Sequence, residues 1–139
     1  MACQISLEAA QQAICKTMVL AATDGKNPVV LCVVDQTGTL LALARMNGVP
    51  ERTVPIVMGK AYTAARLHSS TREFQNLLQA RNLTLADYCD PGLTSMPGGL
   101  AVKDGDLCLG AVAVSGRALT EDEALAESFA HYLLEALRG

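Results

Sequence analysis

Two stretches of the chain are apolar on both of their alternating faces. Residues 29–34 read Val-Val-Leu-Cys-Val-Val, and residues 107–114 read Leu-Cys-Leu-Gly-Ala-Val-Ala-Val. A strand of that kind suits the middle of a sheet covered on both sides. Each run has a neighbouring segment to pair with. Asp35-Gln36-Thr37-Gly38 is a turn signal, and residues 39–46 return as the second arm of a hairpin. Residues 100–102 precede Lys103-Asp104-Gly105-Asp106, and Asp-Gly between apolar runs predicts a second hairpin.

Elsewhere the apolar period is helical. Ser6 can cap a first helix whose stripe is Leu7, Ala10, Ile14, Met18 and Ala21, ended by Gly25 and Asn27-Pro28. A second helix spans about residues 53–68, with Pro55 in its first turn and Val54, Val57, Met58, Ala61 and Ala65 as its stripe. Ser70 and Glu73 form a capping box for a third, ending near Arg81, with Phe74, Leu77 and Leu78 inward. Thr84 and Asp87 start one more helical turn. Residues 89–99 are loop-like, with a short strand expected near 93–96. A last helix runs over residues 120–137, with Thr120 and Glu123 as its capping box and Leu125, Ser128, Phe129, Tyr132, Leu133 and Ala136 inward. The order is helix, hairpin, helices, hairpin, helix. It predicts one α/β (α+β) domain over residues 1–139, a three-layer α/β/α arrangement close to the profilin-like one, with about five antiparallel strands.

Composition narrows the function. Half of the 139 residues are hydrophobic, which argues against disorder. The net charge of −3 and the absence of a basic run argue against a nucleic-acid partner. No apolar run has the length of a membrane span and the N-terminus lacks a signal-peptide pattern, so the expected location is cytoplasmic, with no membrane partner. The five cysteines, Cys3, Cys15, Cys32, Cys89 and Cys108, include no CxxC pair and signal neither a disulfide framework nor a zinc site. Cys15, Cys32 and Cys108 are expected as small buried hydrophobes, and Cys89 as a loop residue.

Candidate chemistry is sparse. No GxGxxG, Walker loop, HExxH or GxSxG occurs, and no catalytic constellation is visible. Arg45, at a strand end, can reach a carboxylate bidentately or form a surface ion pair. Lys60 sits mid-helix among small apolar residues, as an anion-binding or catalytic amine or as a snorkelling lysine. Pro97-Gly98-Gly99 permits close backbone approach. Ser115-Gly116-Arg117 leads from a strand to a helix N-terminus, where N–H groups and the dipole favour an anion. His68 ends its helix as a partly buried ligand or a cation facing the helix C-terminus. His131 shares a face with Glu127 and Glu135 as an exposed charge pair.

The ordered motifs resemble a family. Val33-Val34-Asp35-x-x-Gly38-x-Leu40-Leu41-Ala42 with Arg45-Met46-x-Gly48 is similar to the first signature of the GlcG/HbpS-like, or haem-degrading, family. Lys60-Ala61-Tyr62-Thr63-Ala64-Ala65 with Thr71, then Pro97-Gly98-Gly99, then Gly110-Ala111-Val112-x-Val114-Ser115-Gly116 with Asp122-Glu123-x-x-Ala126, resemble the second, third and fourth. The same domain forms the C-terminal part of PduO-type cobalamin adenosyltransferases, and short stand-alone copies occur in glycerol-fermentation operons. The resemblance implies a profilin-like fold, homo-oligomers, and binding of haem, corrinoid or iron. It implies no agreed reaction and no shared axial ligand. The chain departs from the pattern at Asn47, Leu100 and Ala113, and its first helix has no histidine. The expected function is a small-molecule binding protein for haem, a corrinoid or another anionic cofactor, accessory to cobalamin-dependent glycerol or diol metabolism. Its expected contacts are Arg45, Lys60, Tyr62, Thr63, Gly98, Gly99, Ser115, Gly116 and Arg117. The alternative is an oligomeric assembly protein without a cofactor. A third option is an enzyme drawing acid–base groups from Lys60, Tyr62 and Thr63.

Overall fold

The computed structural model describes residues 4–139; Cys3 lies outside them. Its elements follow the order α1 (Leu7–Thr23), β1 (Val30–Asp35), β2 (Leu40–Arg45), α2 (Thr53–Leu67), α3 (Thr71–Arg81), the 3-10 turn Leu85–Tyr88, β3 (Gly99–Asp104), β4 (Leu107–Ser115) and α4 (Leu119–Arg138). The sheet is antiparallel, with strand order β2-β1-β4-β3. The two doubly apolar runs are therefore its two inner strands, and the mixed strands are its edges. Val30 lies opposite Arg45 on one side and opposite Ser115 on the other, while Gly99 lies opposite Ala113.

Strand alternation divides the core in two. Leu31, Val33, Val112 and Val114 pack with Ala10, Ala13, Phe129 and Leu133 of α1 and α4. Val30, Cys32, Val34, Ala111 and Ala113 pack on the other face with Val57, Ala61, Ala64 and Ala65 of α2. Small residues on both surfaces bring α2 close to the sheet. A satellite cluster of Phe74, Leu78 and Leu93 lies under α3, with Tyr88 edge-on to Phe74. The Ser6 and Ser70 hydroxyls accept from Ala9 N and Glu73 N, caps that stabilise a helix by about 1 kcal/mol each.

Three details differ from the sequence expectation. The sheet has four strands, because in residues 93–96 the Thr94 and Met96 N–H groups go to side chains and the Leu93 N–H to Asp90 O. Thr94 N–H donates to Thr63 Oγ1, and Met96 N–H donates to Thr94 Oγ1. The last helix starts before Thr120. Glu121 accepts from Ala118 N and Asp122 accepts from Arg117 N, while Glu123 pairs with Arg72 of α3. Cys15 is exposed, whereas Cys32 and Cys108 are buried as expected. Of the two readings of His68, the structure favours the one at the helix C-terminus, because the residue is exposed at the α2 C-cap with φ of 55°.

Candidate functional site

The motif residues gather in three places. The first is a polar knot where α2, the end of β4 and the start of α4 meet. Lys60 lies on the α2 face that packs on the sheet, and its side chain is 0 % exposed. Its ammonium has three N–H donors and three acceptors: Val114 O at 3.0 Å, Ser115 Oγ at 3.3 Å and Asp122 Oδ2 at 3.2 Å. The other Asp122 oxygen accepts the Arg117 N–H at 3.0 Å. Burial pushes the Lys60 pKa below the usual lysine value, against the attraction of Asp122. Burial likewise pushes the Asp122 carboxyl above the usual aspartate value, against the attraction of Lys60. Both directions have one cause, loss of water around a charge, and mutual attraction offsets only part of it.

Gly98 and Gly99 belong to this knot. A Cβ on Gly99 would collide with Lys60 O, and one on Gly98 would lie 2.7 Å from Val114 O and 2.8 Å from Lys60 Nζ. Thr71 closes the far side, its Oγ1 accepting from Gly99 N at 3.0 Å. The double glycine thus serves the approach of this chain's own helix. It also lines a small cleft of about 260 Å³ with Ser70, Arg72, Glu73, Glu123 and Glu127.

Arg117 sits beside the knot but turns away from it. Its guanidinium grips Asp24 with bonds of 2.6 and 2.9 Å, and also donates to Ala21 O and Asn27 O. With its side chain 2 % exposed, it fastens the start of α4 to the end of α1. That bond is the main reason the Asp24 carboxyl lies below the usual aspartate range. Gly116 has φ of 127° and a Cβ there would meet Pro28 O at 2.8 Å, so the loop is packed against the chain leaving α1.

Tyr62 and Thr63 form the second group, which fixes the 89–98 loop. Tyr62 Oη donates to Asp90 Oδ2 at 2.7 Å under the Arg66 guanidinium, and its ring runs against Gly38 and Gly92. That hydrogen bond raises the Tyr62 pKa and lowers that of Asp90. Thr63 Oγ1 donates to Gly59 O and accepts from Thr94 N. Tyr62 also lines an apolar cleft of about 410 Å³ with Leu40, Pro55, Met58 and Pro91.

Arg45 stands apart from both groups, at the end of the edge strand β2. It is exposed, and its guanidinium makes one long hydrogen bond, to Val49 O at 3.4 Å. It opens onto a cleft of about 660 Å³ whose other walls are Cys15, Met18, Val19 and Ala22 of α1 and Met46 and Asn47 after β2. Positions 15, 18, 19 and 22 share one helix face. Sequence reasoning missed this face because the inward stripe through Ile14, Met18 and Ala21 accounted for burial by itself. The available signal was that α1 is apolar over more of its circumference than one stripe needs. Among the described residues, no group of three His, Cys, Asp or Glu is placed to hold a metal ion, and no helix is long and apolar enough to cross a membrane.

Comparison with known proteins gives a consistent picture. A Citrobacter freundii relative, an uncharacterized 15.0 kDa protein in the dhaT-dhaS intergenic region, is 35% identical over 103 residues, 73% of this chain and 72% of its own. The crystal structure of Klebsiella pneumoniae ORFY superposes with a TM-score of 0.83 at 28% identity, covering 94% of this chain and 90% of that one. A crystal structure of a PduOC–haem complex shares the fold, with a TM-score of 0.81 at 22% identity over 93% of this chain and 94% of that one. The family model described as haem degrading protein HbpS-like matches residues 5–131. With the fold, the ordered motifs and these matches in agreement, the chain belongs to the HbpS-like family.

Proposed function

We propose that this chain is a cytoplasmic, homo-oligomeric protein that binds a small anionic cofactor of tetrapyrrole size, haem or a corrinoid, in the cleft between α1 and β2. It serves as an accessory to cobalamin-dependent glycerol or diol metabolism. The observation that carries this reading is the cleft itself. Its volume of about 660 Å³ falls within the usual range for small-molecule sites. Met18, Val19, Ala22 and Met46 offer an apolar wall to the faces of a flat ring, and Arg45 keeps most of its donors for a carboxylate. Cys15 and Met18 add soft donors of the type that ligate haem iron. The residues present therefore fit the group that the family description names. When bound, that group would supply the redox and ligand chemistry of its metal. In this reading Lys60, Gly98, Gly99 and Ser115 hold α2 and α4 on the sheet, Gly116 and Arg117 hold α1, and Tyr62 and Thr63 hold the 89–98 loop. The metabolic setting draws support from the intergenic-region relative and from the resemblance to PduO-type domains.

The test is an absorption titration of the purified protein with ferric haem and, separately, with cobalamin. A saturable change in the Soret or corrinoid bands at micromolar concentration is expected for one of the two. No change with either would overturn the reading.

A second reading, an assembly protein without a cofactor, draws on the apolar cleft beside Tyr62. There Leu40 is 44 % and Met58 37 % exposed beside Pro55, Tyr62 and Pro91. Saturable oligomerisation with no ligand response in either titration would favour it.

A further inference from the structure

A tight turn follows β2 at the rim of the Arg45 cleft. Val49 N–H closes it on Met46 O at 3.3 Å, with Asn47 and Gly48 at its corner. Gly48 has φ of 93°, a left-handed conformation that glycine takes without strain. Both corner residues are exposed, and Asn47 lines the cleft together with Arg45. Neither the Asn47 amide nor the Gly48 N–H has a hydrogen-bond partner among the described residues. The space around the turn is open, since an added Cβ at Gly48 would meet only Pro28 Cγ, at 3.7 Å.

The other three asparagines of the chain lack this setting. Asn27 precedes Pro28, which has no N–H. Asn76 lies inside α3, where the following N–H belongs to the helix ladder. Asn82 is followed by Leu83, whose N–H donates to Leu78 O at 2.9 Å.

We infer that Asn47 is a site of spontaneous deamidation that places a new carboxylate on the rim of the Arg45 cleft. The Gly48 amide nitrogen gives up its proton and attacks Asn47 Cγ. The new N–C bond closes a cyclic imide while the Cγ–Nδ2 bond breaks, and the leaving nitrogen takes a proton from water and departs as ammonia. A second water opens the imide at either carbonyl, which leaves aspartate or isoaspartate, with no change of oxidation state. Ring closure requires the turn to open. One long hydrogen bond spans it, and the glycine has no side chain to hinder the rotation. Either product carries the net charge one unit beyond −3 and sets an anion in the same cleft as Arg45. The isoaspartate form also lengthens the main chain between β2 and α2. A consequence for binding rests on the cleft reading above: an anionic ligand then competes with residue 47 for the guanidinium.

The experiment incubates purified wild type and Asn47→Gln at neutral and at alkaline pH, followed over days by peptide mass spectrometry. Position 47 is exposed, so the glutamine variant should fold as wild type, checked by circular dichroism, and its longer side chain closes an imide far more slowly. In wild type the peptide holding residues 46–49 should gain the mass of an amide-to-acid change, several-fold faster at alkaline pH, as a mixture of aspartate and isoaspartate. Asn47→Gln should stay unchanged, as should the peptides with Asn27, Asn76 and Asn82. In a separate titration at low salt, Asn47→Asp should bind ferric haem about two- to fivefold more weakly than wild type, the range of an exposed charge contact. An intact Asn47 after alkaline incubation overturns the inference, and so does conversion of Asn76 or Asn82 at the same rate. Equal haem affinity in Asn47→Asp overturns the consequence for binding alone. Haem bound by neither protein overturns the cleft reading, while the mass measurement still decides the deamidation.

Discussion

Lys60 carries a charge into a place without water, and each of its N–H groups has a partner there. Removing one member of such a pair costs far more than the pair contributes, because the other charge is left buried and unpaired. Lys60→Met should therefore lower unfolding stability by about 3–5 kcal/mol in a denaturant melt, although methionine matches the stem in volume. Converting Lys60 and Asp122 together to Met and Leu should recover most of that loss. If Lys60→Met melts like wild type, the ammonium is not buried as described. A different signature belongs to Asp24, held below the usual aspartate range first by Arg117 and then by Lys26 N–H. A depressed folded pKa gives stability that is full above about 3.9, the unfolded value, and is lost as pH falls through the folded one. Melting temperature followed from pH 6 downward should thus fall through the region below about 4. The fall should be shallower in Asp24→Asn, which starts lower at neutral pH. An unchanged acid limb in the variant would remove Asp24 from the account.

Between elements, the controlling fact is how near α2 comes to the β3–β4 edge. Gly99 is opposite Ala113 in the ladder, and a Cβ added there would run into the Lys60 carbonyl. Gly99→Ala should destabilise by about 1–3 kcal/mol, the usual cost of overpacking, because the obstacle is backbone and cannot rotate away. Equal stability, measured by urea midpoint, would mean that the helix stands off the sheet. Most of this element-scale picture was legible in the chain. Two doubly apolar runs identified the inner strands, Asp104-Gly105 marked a hairpin, and the Ala61, Ala64 and Ala65 spacing announced close packing. What was not legible depended on competition for hydrogen bonds between distant residues. Thr120 and Glu123 make a correct local capping pattern, but Arg72 takes Glu123, and Ala118 N–H finds Glu121 instead. Residues 93–96 have strand-like composition, but Thr63 intercepts the Thr94 donor. The candidate site was harder still. Lys60 and Asp122 stand 62 positions apart, and nothing in either segment says that the lysine meets an aspartate and not a ligand. Arg117 has the right loop for an anion site, but Asp24 from α1 occupies it first.

The molecule carries apolar clefts beside Arg45 and beside Tyr62, and a net charge of −3. Val19 beside one cleft is 66 % exposed and Leu40 at the other 44 %, exposed apolar side chains of the kind that subunit contacts cover. The expected outcome is a symmetric homo-oligomer, at least a dimer. Light scattering at high micromolar concentration should report a mass above the 14.6 kDa of one chain, and a particle of 14.6 kDa would exclude it. In the proposed function a ligand enters through the Arg45 cleft and not through the knot at Lys60. The most direct measurement is the ferric haem affinity of Arg45→Glu beside wild type, at low and at physiological salt. Arg45 is exposed, so the variant should fold and melt as wild type. Its affinity should fall about tenfold at low salt, toward the low end for charge-assisted bonds because water screens the site. The gap should narrow at physiological salt, where charges are screened beyond about 8 Å. Wild-type affinity in Arg45→Glu at both salt concentrations would contradict the assignment of this cleft.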